Sequence, residues 1–433
     1  MEVGLRWPPE TFLQRKLEGL AAAGLTVTVV SRDRPRRGRD RLAGVRLVRL
    51  PGSGDNRLII SARLLWGALR LLVSRPGQLV AVLRALRGRK EPARQMLAFA
   101  AGAMAVFATR PDILHFEWEL AAVRSLPLLE ASASPVVLSV RGTGVNVRPH
   151  AGQAHYAAAY PKIFARATAV HCVSEALREE AARYGLPRAK ARVIHPAVDV
   201  GYFSPPPVAD STPEDLRIVG VGRLTWIKGY DYALEAVASL VRAGLPVTYE
   251  IVGGEPTPES GEASDRSRLL YLIHELGLEG RVRLLGEIQP DVVRERLWAS
   301  DVLLQASVSE GLPNTVLEAM ACGLPVVVTD CGGLREAVDH GVEGLVCPSR
   351  SPQALADALR SLRDRALARR MGEAGRKRVC AEFTLERQLE SFQRLYDEVA
   401  AVSDQLGGPC ALASEDGCAD DKGAHHDRDR NGN

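Results

Sequence analysis

Hydrophobic positions recur with two periods in the first fifty residues, and each period predicts a different element. Residues 11–23 carry apolar side chains at helical spacing, which predicts an amphipathic helix ending at Gly24. The apolar run 25–30 and the shorter run 45–50 predict two strands. This part of the chain is therefore expected to contribute to a sheet flanked by helices.

Apolar runs of strand length also mark the rest of the first half. Residues 112–115, 135–140 and 167–173 predict buried parallel strands. Ser174 stands where it can cap the helix that follows the last of them. A stretch rich in turn-forming residues, 196–213, predicts a domain boundary.

Beyond that boundary, strand and helix periods alternate. Strands are predicted at 216–221, 248–252, 282–285, 302–305 and 325–329, and helices at 230–243, 267–276, 292–299 and 314–322. This alternation is typical of a parallel sheet covered by helices on both faces. Two long helices are predicted at 352–374 and 385–402, and the polar stretch from Gly407 is expected to be disordered.

Composition narrows the class of protein. A length of 433 residues suits two domains, and 46% hydrophobic with 25% charged residues indicates a globular protein. The net charge of +4 is too small to indicate nucleic-acid binding. Seven scattered cysteines indicate free thiols in a reducing compartment. The N-terminus lacks a secretory signal, and the longest apolar run, 97–108, is too short to span a bilayer. We therefore expect a cytoplasmic protein, and peripheral binding to the inner face of a membrane is compatible with these features.

Positive charge is concentrated in residues 57–94, which hold nine basic side chains and a single acid, Glu91. Leucines alternate with the arginines there, a pattern typical of basic amphipathic helices. One interpretation is that these helices hold the first domain against anionic lipid. The other is that the leucines pack on the N-terminal sheet while the arginines face water. The pattern alone favours neither.

Ligands of an open parallel sheet bind beyond the carboxyl ends of its strands, and the loop after strand 216–221 carries suitable chemistry there. Gly222 ends the strand, and Arg223 and Lys228 lie five residues apart just before a helix. Two cations and a helix N-terminus can hold a diphosphate without a metal. Solvated surface charges are the alternative explanation.

The loop before helix 314–322 carries acids and a glycine. Gly311 shapes the turn, Glu310 precedes it, and Glu318 lies one turn inside the helix. The backbone N–H groups of Asn314 and Thr315 suit a phosphate or a sugar hydroxyl, and the two carboxylates could grip the hydroxyls of a sugar and a ribose. Alternatively, both acids are simply favoured by the helix dipole.

Two weaker signals complete the candidate residues. Gly253 ends a strand where the backbone must approach a ligand or another segment closely. His115 lies at a strand end on the expected cleft side, where a packed histidine and an active one fit equally well.

These loops together resemble a known family. Residues 310–327 resemble the E-x7-E signature of family-4 retaining glycosyltransferases, and the surrounding glycines and Val173-Ser174-Glu175 are similar too. The resemblance covers residues from about 110 to 400. More loosely, Pro9-Glu-Thr-Phe12 and the basic zone resemble exopolysaccharide-assembly members.

The resemblance implies an α/β fold of two Rossmann-like domains facing a cleft, called GT-B. The implied parts are an acceptor-side domain (1–205), a nucleotide-sugar-binding domain (206–384), a helix crossing back to the first domain (385–405) and a disordered tail (406–433).

The resemblance also implies roles for residues. Arg223 and Lys228 would hold the donor diphosphate, Glu310 would contact the donor sugar, Glu318 would bind the ribose, and Ile288 would lie by the nucleobase. Neither a metal nor another cofactor is implied, because the cation pair neutralises the leaving diphosphate. The expected partners are a nucleotide-sugar donor and a lipid-linked or saccharide acceptor, not nucleic acid.

The sequence departs from the family pattern at two places. Only Met1 to Pro9 precede the first helix, without the usual glycine pair, so either the start lies upstream or that loop is abbreviated. Arg141 stands where many members have a histidine, and it is placed with His115 on the acceptor side.

The expected function is retaining sugar transfer in cell-surface polysaccharide or glycolipid synthesis. A nucleotide-sugar 2-epimerase and a donor-binding subunit without turnover are the alternatives.

Overall fold

The computed structural model describes residues 1–33, 41–51, 55–87, 92–207, 215–257 and 262–405. For residues 403–405 it describes the backbone but not the side chains. Within these ranges the chain forms two separate parallel sheets covered by helices. The predicted disordered tail, 406–433, lies outside them.

The first sheet is built entirely from parallel strands. Its strands are β1 (Glu2–Val3), β2 (Val27–Ser31), β3 (Val45–Arg49), β4 (Leu114–Phe116), β5 (Val136–Val140), β6 (Ala169–Cys172) and β7 (Ala191–Val193). Their order is β3-β2-β1-β4-β5-β6-β7, so the strand order reverses between β1 and β4.

The second sheet repeats this plan. Its strands are β8 (Leu216–Val221), β9 (Val247–Val252), β10 (Val282–Gly286), β11 (Val302–Gln305), β12 (Val326–Thr329) and β13 (Gly344–Cys347). They are parallel in the order β10-β9-β8-β11-β12-β13. The predicted α/β class and the two Rossmann-like sheets are therefore confirmed.

Helices connect the strands and cover the sheets. They are α1 (Thr11–Ala22), α2 (Arg57–Ser74), α3 (Pro76–Leu86), α4 (Ala93–Ala108), α5 (Glu119–Arg124), α6 (Leu126–Ala131), α7 (Thr143–Asn146), α8 (Ala154–Arg166), α9 (Glu175–Arg183), α10 (Tyr230–Arg242), α11 (Arg266–Glu275), α12 (Pro290–Trp298), α13 (Asn314–Ala321), α14 (Leu334–Ala337), α15 (Pro352–Ser361), α16 (Arg365–Glu382) and α17 (Leu385–Gln405).

Several elements differ from the sequence predictions. The ten residues before α1 contain a two-residue strand, β1, at the centre of the first sheet, and Gly4 follows it at a φ of +81°. The predicted single helix 352–374 is two helices, because Asp364 caps a new start by accepting hydrogen bonds from the next turn. Strands β7 and β13 were not predicted.

The last helix, α17, leaves the second domain and packs against α1 of the first. Phe392, Leu395 and Val399 are buried there with Leu13 and Leu17 of α1. The predicted crossing helix is therefore present. The predicted domain limit, between residues 205 and 206, falls between the last strand of one sheet and the first of the other.

Helices α2 and α3 form an extra layer outside α4. Gly67 brings α2 close to α4, since a Cβ there would lie 2.8 Å from Met104 Cβ. Only a few residues of α2 and α3 face this contact, and most of their large apolar side chains point outward. The interpretation in which these leucines pack on the N-terminal sheet does not describe that outer face. Within the described ranges, no helix is long and apolar enough to cross a membrane.

Candidate active site

The loops at the carboxyl ends of the two sheets meet across the interdomain cleft. Gly142, after β5, approaches Gly311, after β11, so closely that a Cβ on Gly142 would lie 3.1 Å from the Gly311 nitrogen. Asn146 Nδ2 donates to the Glu310 carbonyl oxygen at 3.1 Å. A Cβ on Gly311 would in turn lie 2.6 Å from the Arg141 carbonyl oxygen. The predicted Gly311 turn therefore lies at the domain contact.

Lys228 and Glu310 form the polar centre of the second domain's edge. Lys228 lies on a single 3-10 turn before α10, and its Nζ donates to Glu310 Oε1 at 2.6 Å. Ser307 Oγ and Gln305 Nε2 donate to the same oxygen, at 2.7 and 3.0 Å. Both partners are largely buried. The loop packs tightly, since a Cβ on Gly222 would lie 3.0 Å from Lys228 Cε.

Arg223 does not share this contact. Its Nη1 lies 2.6 Å from Glu262 Oε2, and its side chain is half exposed. The predicted diphosphate pair is thus on one loop, with each cation held by its own carboxylate. Gly253 supports this loop, because its φ of +149° lets its backbone pack on the Gly222 carbonyl, where a Cβ would lie only 2.0 Å away.

Helix α13 begins at Asn314, as predicted, with Pro313 as its N-cap. Thr315 Oγ1 is buried there, and no other group in the described part of the chain hydrogen-bonds it. An unpaired buried hydroxyl costs free energy unless a partner arrives. This end of α13 therefore offers a ligand a side-chain donor in addition to the backbone N–H groups of its first turn.

Glu318 and Ile288 line one cavity of about 170 Å³ between the domains. The lining residues are Thr11, Phe12 and Arg15 of α1, then Ala197, Asp199, Phe203, Val221, Ile288, Pro290, Val293, Glu318 and Leu385. Burial raises the pKa of Glu318 to about 7, and the charge of Arg15 opposes that shift. The structure thus brings the predicted ribose and nucleobase residues together.

His115 lies in the interior of the first domain on β4, and it is 1% exposed. Its Nδ1 bonds Tyr396 of α17 at 2.8 Å, and its Nε2 bonds Ser139 at 2.8 Å. The acceptor-side role of His115 stays a prediction. The packed alternative describes it, because both ring nitrogens are used by neighbouring side chains.

Arg141 lies at the cleft but is committed to Glu117. Its guanidinium forms an ion pair with the Glu117 carboxylate and donates through Nε to the Glu117 carbonyl at 3.0 Å. The rings of Phe12 and Trp118 flank it at 5.2 and 5.5 Å. Although burial opposes ionisation, the charges of Lys16 and Arg141 hold the pKa of Glu117 well below its usual range.

Glu2, His115 and Glu117 have ligand atoms within 4.8 Å of one another, which is a spacing that could hold a metal. Lys16 Nζ binds both carboxylates of this group. Since an ammonium ion takes the position that a cation would need, these residues form an internal ion-pair network.

Several residues of this site were not predicted from the sequence. Gln305 and Ser307 are polar positions at the end of an apolar strand, and that signal could have marked them as partners of Glu310. Arg15 and Glu117 carried no local signal, because only tertiary packing brings Arg15 to the cavity and Glu117 to Arg141.

Comparison with known structures supports the fold. The chain superimposes on sucrose-phosphate synthase from Thermosynechococcus elongatus with a TM-score of 0.72 and 23% identity, covering 93% of this chain and 98% of that one. Anabaena HepE, solved in complex with UDP and glucose, gives a TM-score of 0.67 and 17% identity over 92% of this chain and 98% of that one. The two parallel sheets that face a cleft, together with these structural neighbours, define the fold class as GT-B.

The chain also matches two families. Residues 74–202 match Glycosyltransferase Family 4, and residues 208–378 match Glycosyl transferases group 1. Together the matches span more than half of the chain. The chain belongs to the group 1 glycosyltransferases of family 4.

Curated relatives of similar sequence include a putative colanic acid biosynthesis glycosyltransferase, WcaL, from Escherichia coli. It is 32% identical over 58% of this chain and 61% of its own length. An amylovoran biosynthesis glycosyltransferase, AmsK, from Erwinia amylovora is 29% identical over 58% of this chain and 61% of its length. The matches thus span less than two thirds of these relatives.

Proposed function

We propose that this protein transfers a sugar from a nucleotide-sugar donor to a lipid-linked or saccharide acceptor, with retention at the anomeric carbon. The observation that carries the proposal is the placement of Glu318 and Ile288 in one interdomain cavity. The Lys228–Glu310 pair lies at the same edge of the second sheet. A nucleoside in that cavity would direct its diphosphate toward the loop of Arg223 and Lys228.

The donor chemistry follows from the charges at this edge. Lys228 now neutralises Glu310, and Arg223 neutralises Glu262. A diphosphate would compete for both cations, and the start of α13 would supply backbone N–H donors and Thr315. Negative charge that develops on the leaving diphosphate would thereby be stabilised without a metal. Glu310, freed in part from Lys228, would accept hydrogen bonds from donor-sugar hydroxyls.

The relatives support the substrate class. HepE was solved with UDP and glucose, and WcaL and AmsK are named for colanic acid and amylovoran biosynthesis. By analogy, we place this protein in the synthesis of a cell-surface polysaccharide or glycolipid, in the cytoplasm.

A thermal-shift panel of UDP-, GDP- and ADP-sugars tests donor binding, because a ligand that binds the native state raises the melting temperature. The donor that binds is then incubated with lipid-linked and saccharide acceptors, and the product's anomeric configuration is read by NMR. Transfer with retention is expected. Conversion of the donor sugar to its 2-epimer, or binding without any turnover, would contradict the proposal.

We further propose that α2 and α3 hold the first domain on an anionic membrane surface. Nine of the fourteen large apolar side chains exposed in the described ranges lie on these two helices. Trp66 and Leu65 are 69% and 70% exposed, and Val73 is 81% exposed. Residues 57–87 contain six arginines and no acid. An apolar face bordered by cations fits the interface of an anionic bilayer.

Co-sedimentation with phosphatidylcholine vesicles, with and without phosphatidylserine, tests this surface. Each basic residue near an anionic surface contributes about 1 kcal/mol, and salt screens it. The Gln variant of Arg63, Arg70, Arg84 and Arg87 should therefore release the protein from phosphatidylserine vesicles at low salt. The matched control is the Gln variant of Arg266, Arg363, Arg370 and Arg387, exposed arginines elsewhere. Wild-type protein that stays in the supernatant at low salt would exclude the membrane surface.

A further inference from the structure

One turn of α1, in the first domain, lines one side of the interdomain cavity. Thr11, Phe12 and Arg15 come from that turn, whereas Glu318 and Ile288 come from the second domain. A ligand that fills this cavity must therefore touch both domains.

Arg15 is the cation of this wall. Its guanidinium lies over the rings of Tyr202 and Phe203, with 4.9 and 5.7 Å to the centroids. No hydrogen bond or ion pair from the described residues reaches it. Its neighbour on α1, Lys16, is in contrast bound by two buried carboxylates. Arg15 thus keeps its five N–H donors for something else in the cavity.

Contact with the two aromatic rings holds Arg15 in place without a hydrogen-bond acceptor for its N–H donors. Glu318 lies across the same cavity and can only accept hydrogen bonds when ionised. A group that offers both hydroxyl donors and oxygen acceptors would satisfy the two sides together. The ribose and base of a nucleotide have that chemistry, whereas a diphosphate has acceptors alone.

We infer that Arg15 completes the donor-nucleoside site from the first domain by donating hydrogen bonds to ribose or base oxygens while Glu318 accepts from the ribose hydroxyls. The inference rests on the proposed function, and it makes nucleoside binding a contact between domains. Arg15 is then a determinant of donor affinity that lies outside the nucleotide-binding domain.

Calorimetric titration of the full chain with UDP, GDP and ADP, and separately with inorganic pyrophosphate, tests this role. Arg15→Gln should weaken the nucleoside diphosphate that binds wild type by about tenfold, the loss of a charge-assisted hydrogen bond. Pyrophosphate affinity should stay within twofold of wild type, because that probe has no nucleoside. Arg15→Lys should restore part of the affinity.

Arg6→Gln is the matched control, because Arg6 also crosses the domain boundary, donating to Thr257 at 2.9 Å, but does not line the cavity. It should leave nucleoside diphosphate affinity within twofold of wild type. Measuring Arg15→Gln in a Glu318→Gln background separates direct contact between Arg15 and the nucleoside from an effect in which Arg15 only neutralises the charge of Glu318. Direct contact predicts that Arg15→Gln still weakens binding there, and disappearance of its effect would overturn the inference.

Two further outcomes are distinct. If wild type binds a nucleoside diphosphate and Arg15→Gln binds it equally well, the role of Arg15 is wrong and the proposed function stands. If wild type binds none of the three nucleoside diphosphates, the proposed function and this inference both fail.

Discussion

Lys228 and Glu310 hold the candidate site together through one buried ion pair. The ammonium and the carboxylate are 2.6 Å apart, and two neutral donors share the same carboxylate oxygen. Largely buried charges need such partners, because leaving one unpaired costs several kcal/mol. The pair keeps the loop in position, and under the proposed function each member would exchange its partner for part of the donor.

Removal of either cation of the loop should impair donor use. A charge-assisted hydrogen bond contributes about 1.5–3 kcal/mol, so Lys228→Ala and Arg223→Ala should each lower kcat/KM for the donor by about tenfold or more. The loss should be larger for Lys228, which is more deeply buried. Arg281→Ala is the control, since that arginine pairs with Asp215 on the surface. Unchanged kcat/KM in both loop variants would exclude the diphosphate role.

Glu318 should make stability depend on pH. Burial raises its pKa from 4.5 to about 7, so between these values the native state binds a proton that the unfolded state has lost. Stability from this group is therefore lost as pH rises from about 4.5 to about 7. Glu318→Gln should remove that loss and be more stable than ligand-free wild type at pH 8, on the order of 1–3 kcal/mol.

Urea unfolding of both proteins at pH 5 and pH 8, without nucleotide, measures the difference. A stability gap of equal size at both pH values would show that Glu318 does not titrate in this range. The same variant should bind nucleoside diphosphate more weakly than wild type, which separates its stabilising effect from its binding role.

At the scale of elements, most strands and helices could be predicted because their signals are local. Strand β11 was predicted at its observed bounds, since a run of apolar residues ends where polar ones begin. Strand β1 has only two residues and exists because β2 and β4 pair with it on both sides. No local pattern can reveal such a strand, because its stability comes from neighbours distant in sequence.

The difference between local and long-range signals also explains which site residues could be predicted. Lys228 lies in the β8–α10 unit, and Glu310 and Glu318 lie in the β11–α13 unit. Each of these strand–helix units has a local sequence pattern, so the three residues could be placed from the sequence. The contacts of His115 come from β5 and α17, and those of Arg15 from the interdomain connection. Residues that meet only through the tertiary fold produce no local pattern in the sequence, so these contacts could not be predicted.

Helix α9 carries a prediction at this scale, because a side chain from the other domain caps it. Glu336 accepts hydrogen bonds from the backbone nitrogens of Glu175 and Ala176 at 2.8 and 3.0 Å, and His195 Nε2 lies 2.9 Å from it. Although burial opposes ionisation, these bonds hold the pKa of Glu336 below its ordinary value. An acid at a helix N-terminus typically stabilises by about 0.3–1 kcal/mol.

Glu336→Gln should therefore destabilise the protein at neutral pH by about 1 kcal/mol. A carboxyl with a lowered pKa stabilises above its unfolded pKa and loses that effect as pH falls through the folded value. The difference from wild type should thus shrink below about pH 4.5, the ordinary pKa of glutamate. Chemical denaturation at pH 7 and pH 4 measures it, with Glu373→Gln, an exposed surface acid, as control. A difference that does not change with pH would exclude the charge as its cause.

At the scale of the whole molecule, two sheets are joined by a connection after β7 and by the return of α17. The return places residues from the end of the chain in the core of the first domain. Tyr396 bonds His115, and the ring of Phe392 lies 4.0 Å from Lys16 Nζ. The first domain is therefore incomplete without the last helix, whereas the second sheet has its own core.

Phe392→Ala should selectively destabilise the first domain. The ring is 1% exposed and packs edge-on against His171 with centroids 4.9 Å apart, so its removal leaves a cavity beside the buried ion-pair network. Truncation of a buried phenylalanine costs about 3–5 kcal/mol. Differential scanning calorimetry should then show that the first domain melts at a temperature well below its wild-type value, while the melting temperature of the second domain changes little.

A nucleoside diphosphate should still raise the melting temperature of the second domain, since most of its proposed contacts lie in that domain. Val402→Ala, an exposed position on the same helix, is the control and should change stability by less than about 0.5 kcal/mol. A single transition lowered as a whole would show instead that α17 makes the two domains unfold as one unit.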